Sequence, residues 1–240
     1  MTALDAGLSV RAFFTTRDGG VSEGPFESLN VSFAVGDEPE SVAENRRTVS
    51  LLAGAPTAYM SQVHRAEVAL MREGGDAPEA DAMVTTTPGL ALAVAVADCV
   101  PILAHDLTSG AIAAIHAGRR GVQAGVIAAA IAALRGAGAD DSVIEASIGP
   151  AICGGCYEVP LDMREEVALV VPEARATTSW GTPSLDLRAA VEAQLRAAGV
   201  ATIHRAGGCT REDPRLFSHR RDGVTGRFAG VIRCEIASTP

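Results

Sequence analysis

The sequence has 240 residues, 48% of them hydrophobic and 20% charged, so it can bury the core of one large soluble domain, and no apolar run reaches membrane-spanning length. Its net charge is −9 and all 20 basic residues are arginine, which excludes a lysine Schiff base and argues against nucleic acid as a partner. Small anions held by a few local arginines stay compatible with that charge. No signal-peptide pattern opens the chain, and we expect a cytoplasmic protein without a membrane partner.

The predicted elements begin with a short strand over residues 10–15, followed by a glycine-rich loop. A helix is predicted next, because Asp37 can cap it, Pro39 suits its first turn and Gly54 suits its end. Strand-like segments follow over residues 59–63 and 68–71.

The centre of the chain is rich in predicted strands. Residues 90–97 form an apolar run typical of a buried strand. Residues 102–105 and 111–116 flank the sequence DLTSG, which favours a tight turn, so they are predicted to pair as a hairpin.

The remaining elements alternate between helix and strand. The clearest helix runs from about residue 121 to 135, and Ser184 or Asp186 is expected to cap the last one. The other predicted strands cover 142–150, 201–207 and 226–236, and the other predicted helices cover 159–171 and 184–200. This order lacks a clean βαβ repeat and includes a hairpin. We therefore predict an α/β fold, a single-domain layered sandwich with mixed β-sheets that spans residues 1–240.

Three residues with metal-binding side chains stand where apolar segments end. His64, Cys99 and His116 each follow such a segment, and strand ends that share one sheet edge form natural sites. Two imidazoles and a thiolate can hold zinc with one position open for water, whose pKa the metal lowers. The spacing alone favours a simpler explanation, a buried thiol and two strand-end histidines.

Two arginine-containing, glycine-rich segments could bind an anion. HAGRRGV, which begins at His116, and SHRRDGVTGR, which begins at Ser218, combine guanidinium groups with glycine turns. A solvated surface would explain both segments as well.

Cys153 and Cys156 form the motif CGGC. The motif could be a redox pair or half of a zinc site, for which Cys209 and Cys234 are the available partners. A packed loop with two unreactive thiols is the simpler explanation, and the odd count of five cysteines argues against a disulfide framework.

The ordered set RDGGVSEGPFESLN, QVH, VADCVPIL, IHAGRRGV, SIGPAICGGCYEV and CTREDPRLFSHRRDGVTGRF resembles the bacterial YfiH-like family over nearly the whole chain. Members of this family were long labelled multicopper polyphenol oxidases or laccases, and are now understood largely as purine nucleoside phosphorylases with adenosine deaminase activity. The resemblance implies a single α/β domain and a metal, usually zinc, held by His64, Cys99 and His116.

The resemblance also implies substrates and contacts. Phosphate would attack C1′ of a purine nucleoside (adenosine, inosine, guanosine or methylthioadenosine), and adenosine would be deaminated at C6. Cys99 and Asp98 are the predicted catalytic residues, with Asp98 as a proton-transfer or supporting group. The predicted substrate-binding residues are Asn30, Arg46, Arg120, Arg221 and Arg227. The oligomeric state is open between monomer and homodimer.

This chain departs from the family pattern at Arg119, where the family usually has tryptophan in HAGWRG. That change affects the expected base stacking rather than the metal ligands. Two other functions remain as alternatives: a laccase-like oxidase with copper in the same site, and a cysteine hydrolase that edits peptidoglycan precursors with Cys99 as nucleophile. Five histidines without an H-x-H pair are too few for several copper centres.

Overall fold

Two six-stranded sheets form the middle of the molecule, whose computed structural model describes residues 3–138 and 143–235. The strands are Ala3–Asp5 (β1), Ala12–Thr15 (β2), Thr57–Ser61 (β3), Val68–Leu70 (β4), Gly75–Glu79 (β5), Ala82–Thr85 (β6), Ala91–Val96 (β7), Val100–Asp106 (β8), Ile112–Ala117 (β9), Ile144–Ile148 (β10), Arg175–Thr177 (β11), Pro183–Leu185 (β12), Thr202–Arg205 (β13) and Phe228–Arg233 (β14). The helices are Pro39–Ala53 (α1), Arg119–Ala124 (α2), Val126–Ala137 (α3), Leu161–Val170 (α4), Leu187–Ala197 (α5) and His219–Asp222 (α6).

Both sheets mix parallel and antiparallel neighbours. The first sheet has the order β1-β2-β14-β7-β3-β5, and the second has the order β13-β10-β8-β9-β6-β4. In the first sheet β3 runs parallel to β5 and β7, while β14 is antiparallel to β2 and β7. In the second sheet β8 is antiparallel to β9 and β10. Strands β11 and β12 form a separate pair.

The core lies in three apolar layers around these sheets. Phe14 and Leu92 of the first sheet pack with Leu103 and Ile112 of the second, all of them buried. Helix α1 covers the outer face of the first sheet, and helices α3 and α5 cover the outer face of the second. The result is a four-layer arrangement of helix, sheet, sheet and helices, which confirms the predicted α/β sandwich.

The local sequence signals place several elements correctly. Helix α1 ends at Gly54, whose φ of 69° allows its N–H to donate to the carbonyl oxygens of Ser50 and Leu51. Asp186 caps α5 by accepting from the N–H of Ala189. Strands β8 and β9 pair as the predicted hairpin. Asp37 does not cap α1, because its carboxylate accepts instead from side chains of the glycine-rich loop.

The structure corrects the predicted helix over residues 121–135. It is two helices, α2 and α3, separated at Gly125, where a φ of 83° breaks the helical path. Five short strands were not predicted: β1, β5, β6, β11 and β12. Predicted strand ends at Ser142 and Ile236 lie outside the described residues. None of the helices in the described part of the chain combines the length and the apolar character that a bilayer crossing needs.

Candidate metal centre and substrate cleft

The register of the β8–β9 hairpin places Cys99 beside His116. Pro101 of β8 pairs with His116 of β9, and Cys99 immediately precedes β8. His64 reaches the same place from the first sheet, three residues after β3, with a left-handed φ of 61°. The structure thus brings together the three residues that the sequence predicts as metal ligands. The candidate metal centre lies at the seam between the two sheets.

The donor set of this centre suits a divalent metal ion. His64, Cys99 and His116 each offer one ligand atom, and these atoms all lie within 4.8 Å of one another. The two imidazole rings meet edge to face, with their centroids 4.7 Å apart. Two imidazoles and one thiolate are a three-ligand set that leaves a coordination position free. That a metal occupies it, and which metal, stays a prediction.

Asp81 supports both histidines and was missed at the level of the sequence. Its fully buried carboxylate lies 2.7 Å from Nδ1 of His116, and this contact leaves Nε2 of that ring for the centre. The same carboxylate accepts from the backbone N–H groups of Val63, His64 and Arg65 at 3.2, 2.9 and 2.7 Å. Burial raises the pKa of Asp81, but the contacts with His116 and the backbone outweigh it and lower the pKa. A lone acid at the start of an otherwise apolar segment was the available signal.

The pKa shifts of Cys99 and His116 favour an ion pair between them when no metal is bound. Burial raises the pKa of the Cys99 thiol, but the charge and hydrogen bonds of His116 and His64 outweigh it and lower the pKa to about 6. Burial lowers the pKa of His116, but the Cys99 thiolate and Asp81 outweigh it and raise the pKa to about 9. At neutral pH the sulfur is therefore a thiolate, which is the form that binds metals and attacks electrophiles.

We predict that metal-free protein alkylates at Cys99 with a midpoint near pH 6. Because only the thiolate reacts, the rate should fall about tenfold for each pH unit below that midpoint. His116→Gln should move the midpoint upward, since it removes the main positive charge. Peptide mass spectrometry with iodoacetamide would follow Cys99, with the buried Cys234, whose pKa burial raises, as the internal control. A midpoint like that of an ordinary cysteine, about 8.5, would contradict the ion pair.

Gly118 allows the loop after β9 to approach the centre. A Cβ atom at this position would lie 2.9 Å from Cδ2 of His64 and 3.1 Å from Sγ of Cys99. A side chain here would push His64 and Cys99 away from their positions, so the glycine of the HAG motif favours the geometry of the two ligands that it packs against.

A cleft of about 320 Å³ opens beside His64. The residues that line it are Ser32, Phe33, Ala34, Val35, Arg46, Tyr59, Met60, Ser61, Gln62, His64, Ala95 and Arg227. The cleft therefore joins one candidate metal ligand to two arginines and two aromatic rings. A larger groove of about 710 Å³ runs along α1, but none of its lining residues is a histidine, a cysteine or an acid.

Arg46 and Arg227 are the cations of the cleft. The guanidinium of Arg46 lies over the rings of Phe33 and Tyr59, 4.4 and 4.0 Å from their centroids. Arg227 is half-buried, and burial lowers the pKa of its guanidinium while the negative charges of Cys99 and Asp98 raise it. Both arginines were predicted as substrate-binding residues, and the structure places them at one cleft.

Asn30 lies behind Arg227 and is fully buried. Its Oδ1 accepts from the backbone N–H groups of Arg227 and Ser32, and its Nδ2 donates to Asp37 and to the carbonyl oxygen of Ser32. These bonds use the polar atoms of the side chain. They favour a positioning role for Asn30 over the predicted contact with substrate.

Asp98 ties three segments together next to Cys99. Its Oδ1 accepts from the hydroxyls of Thr210 and Ser218 at 2.6 and 2.7 Å, and its Oδ2 accepts from the N–H of Arg220 at 2.6 Å. Its φ of 93° is strained for a residue other than glycine. With both oxygens engaged, the geometry favours a positioning role over the predicted catalytic one.

The remaining predicted arginines do not share one role. Arg120 is exposed, and the described ranges 3–138 and 143–235 give it no hydrogen bond or ion pair. Its neighbour Arg119 donates to Gln123 at 3.0 Å and lies near Tyr157, whose pKa burial and the nearby Cys99 raise. Arg119 and Cys99 both act electrostatically on Tyr157, so the departure from the family pattern lies near the candidate metal centre.

Arg221 is occupied within its own loop. Its NH1 donates to the carbonyl oxygen of Thr210 at 2.8 Å, its NH2 donates to that of Leu216 at 2.7 Å, and its Nε pairs with Asp222. These bonds favour a structural role for Arg221 over the predicted phosphate contact.

The sheet order and the histidine–cysteine–histidine cluster at the seam define a class of four-layer α/β proteins, and comparison with known proteins identifies it. Residues 11–235 match the model of the family described as multi-copper polyphenol oxidoreductase laccase. The chain belongs to this family, which confirms the resemblance drawn from its motifs.

Curated relatives align over nearly their full length. The purine nucleoside phosphorylase SCO2081 of Streptomyces coelicolor is 51% identical, covering 91% of this chain and 93% of the relative. The purine nucleoside phosphorylase Rv2149c of Mycobacterium tuberculosis is 45% identical, covering 95% of this chain and 93% of the relative.

Solved structures share the fold. Protein NMB0706 of Neisseria meningitidis superposes with a TM-score of 0.84 at 36% identity, covering 98% of this chain and 99% of that one. YfiH of Bacillus licheniformis gives a TM-score of 0.83 at 30% identity, covering 94% of this chain and 93% of that one.

Proposed function

We propose that this chain is a purine nucleoside phosphorylase whose active site is the cleft beside His64. Phosphate oxygen would bond to C1′ of the nucleoside, the bond from C1′ to N9 would break, and the protonated base would leave together with ribose 1-phosphate. One observation carries the proposal: His64 belongs both to the candidate metal centre and to a cleft lined by two arginines. The relatives named purine nucleoside phosphorylases at 45–51% identity support it.

In this proposal Arg46 and Arg227, the two arginines of the cleft, bind phosphate. Guanidinium groups match phosphate oxygens in charge and geometry, and a chain with a net charge of −9 needs such local cations to hold an anion. The backbone N–H of Arg227 donates to Asn30, and its NH1 donates to the carbonyl oxygens of Thr225 and Gly226, so the guanidinium is already oriented when phosphate arrives. Phe33, which is 46% exposed at the cleft, offers an apolar surface for the purine.

His64, Cys99 and His116 would hold zinc, with copper as the alternative ion for the same ligands. Zinc in this donor set supplies a Lewis acid that can activate water or polarise a substrate. The residues of the chain orient it: Asp81 fixes the ring of His116 and the backbone of His64, and Gly118 lets the loop close over the sulfur. We extend the proposal to adenosine deamination, in which water replaces the amino group at C6 and ammonia leaves.

The test is a single incubation of the purified protein with adenosine, with and without phosphate. We expect adenine and ribose 1-phosphate only when phosphate is present, and inosine plus ammonia in either case. Inosine and guanosine in parallel incubations define the range of bases. If zinc-loaded protein leaves all three nucleosides unchanged in phosphate, the proposal is wrong.

Arg227→Met is predicted to raise KM for phosphate and to lower kcat/KM for phosphate about 10–100-fold, the effect of losing a charged hydrogen bond worth about 1.5–3 kcal/mol. KM for the nucleoside should change much less. The matched control is Arg47→Met on α1, because Arg47 lines the larger groove and not the cleft. Steady-state kinetics with each substrate varied separately measures this. Equal losses toward phosphate and nucleoside would place Arg227 outside the phosphate site.

A cysteine hydrolase is the second candidate, and the Cys99–His116 ion pair favours it. A thiolate with a pKa of about 6 beside an imidazolium has the form of an activated cysteine nucleophile. A metal chelator separates the two proposals, since it should abolish a zinc-dependent reaction and leave a thiol reaction intact.

A further inference from the structure

A second cluster of metal-binding side chains lies apart from the proposed active site. Cys153, Cys156, Cys209 and Glu212 each offer one ligand atom, and the four atoms all lie within 4.8 Å of one another. The cysteines are buried or half-buried, and Glu212 is exposed at the rim. The sequence suggested Cys209 and Cys234 as partners for the CGGC motif. The structure brings only Cys209, because Cys234 lies elsewhere and its thiol contacts the carbonyl oxygen of Gly110.

Two loops turn so that these four side chains converge. In the first loop, the N–H of Cys156 donates to the carbonyl oxygen of Cys153 at 2.9 Å, which folds the CGGC motif back on itself. The second loop joins the first through a bridge between Ala151 and Cys209, and the N–H of Cys153 donates to Sγ of Cys209 at 3.4 Å. The N–H of Glu212 donates to the carbonyl oxygen of Cys209, and this turn brings the carboxylate of Glu212 close to the thiols.

The chemistry of the cluster favours a cation. Ligand atoms about 2.3 Å from a tetrahedral zinc ion lie about 3.8 Å apart, and the four ligand atoms, all within 4.8 Å of one another, lie near that spacing. Without a cation the thiol of Cys156 donates to Oε1 of Glu212 at 3.4 Å, so a thiol proton lies among the four ligand atoms. A divalent ion would take the place of the thiol protons, which are released on binding.

We propose that Cys153, Cys156, Cys209 and Glu212 form a second metal site, which binds a thiophilic divalent cation, foremost zinc. Three thiolates, one carboxylate and Zn²⁺ leave two negative charges. Arg188 lies where the charges of Cys153 and Cys209 act on its guanidinium, and it offsets part of that charge. With four protein ligands the site is closed, which is typical of zinc with a structural role.

The site fastens the two loops that hold Asp98. The N–H of Ile152 in the first loop donates to the carbonyl oxygen of Asp98 at 3.1 Å, and the hydroxyl of Thr210 in the second loop donates to its carboxylate. A metal ion between Cys153 and Cys209 therefore joins these segments directly behind Cys99. Loss of this metal ion should make the two loops behind Cys99 more mobile, while the three ligands of the candidate metal centre remain in place.

Zinc content of the purified full-length chain tests this site independently of activity. We expect about two zinc ions per chain in the wild type, about one in Cys209→Ser and about one in His64→Ala, which empties the other centre. Cys234→Ser is the matched control, a buried cysteine outside the cluster, and should keep the wild-type content. Cobalt in His64→Ala should give the absorption of thiolate-ligated tetrahedral cobalt, and Cys209→Ser should remove it.

Glu212→Gln is a second test variant in case Cys209→Ser misfolds, and it is expected to fold because Glu212 is exposed. It should weaken zinc binding in His64→Ala at least about tenfold in competition with a chelator. The proposal is overturned if His64→Ala binds no zinc, or if Cys209→Ser alone keeps the full zinc content of the wild type. It is also overturned if adding Glu212→Gln to His64→Ala leaves zinc affinity unchanged. A disulfide between Cys153 and either Cys156 or Cys209, found by mass spectrometry, would overturn it as well. Failure of nucleoside turnover leaves these readouts unchanged, so the two proposals fail separately.

Discussion

Cys99→Ala is expected to lower kcat/KM for phosphorolysis of adenosine about a thousandfold or more and to release the metal of the candidate centre. Cys99 supplies the only anionic ligand there, and its loss leaves two imidazoles to hold a divalent ion. A metal contributes several kcal/mol of charge stabilisation, and about 4 kcal/mol corresponds to a thousandfold in rate. His116 also loses the thiolate that raises its pKa, so its pKa should fall.

Elemental analysis and product chromatography on the same preparation would check this expectation. Cys234→Ala is the matched control, since it removes a buried thiol that belongs to neither metal-binding cluster and contacts the carbonyl oxygen of Gly110. If Cys99→Ala loses its metal but keeps phosphorolysis, the centre has no part in that reaction. If phosphorolysis is lost while the metal stays, Cys99 acts as a nucleophile or proton carrier and not as a ligand.

Asp81→Asn is expected to destabilise the fold by about 3–5 kcal/mol, the usual loss when one member of a buried pair is removed. The Asp81 carboxylate accepts hydrogen bonds from three backbone N–H groups and contacts the ring of His116. The NH₂ group of asparagine would face these donors and could not accept from them. Metal affinity should fall about 10–100-fold, since the ring is no longer oriented. The pKa of Asp81 is lowered in the fold, so its contribution is present above the unfolded pKa and disappears only as pH falls through the folded one.

Thermal unfolding at pH 7 and in acid would measure the change. The difference between wild type and variant should be large at pH 7 and should shrink at low pH, where the wild-type carboxyl is also protonated. Asp186→Asn is the matched control: it makes the same replacement at the cap of α5, where asparagine accepts the hydrogen bond of Ala189 as well as aspartate does. A similar loss of stability in both variants would show that Asp81 contributes no more to the fold than an ordinary helix cap.

The sequence predicted elements whose signals are local. Helix α1 follows from the proline in its first turn and the glycine at its end, and the β8–β9 hairpin follows from its turn sequence between apolar runs. The break at Gly125 was not predicted, because an alanine-rich stretch reads as continuous helix until packing fixes a left-handed glycine within it. Strand β6 was missed because three threonines and a proline follow its short apolar start.

The candidate centre was partly predictable for a similar reason. His64, Cys99 and His116 stand at strand ends, which is a local signal, and the family resemblance selected them. The roles of Asp81 and Glu212 depend on contacts with residues distant in sequence, and an acid in a loop gives no sign of the partner that it will meet. For the same reason Arg221 was predicted to bind substrate, although the structure uses its donors to hold a loop.

The seam between the sheets gives the candidate centre a mechanical role. His64 follows a strand of the first sheet, whereas His116 belongs to the second, so an ion held by both adds a further link between two layers that Asp81 already joins through hydrogen bonds. The ion would thus act together with the apolar packing of Phe14 against the second sheet, and repacking in the middle of the sandwich should change how long the metal stays bound.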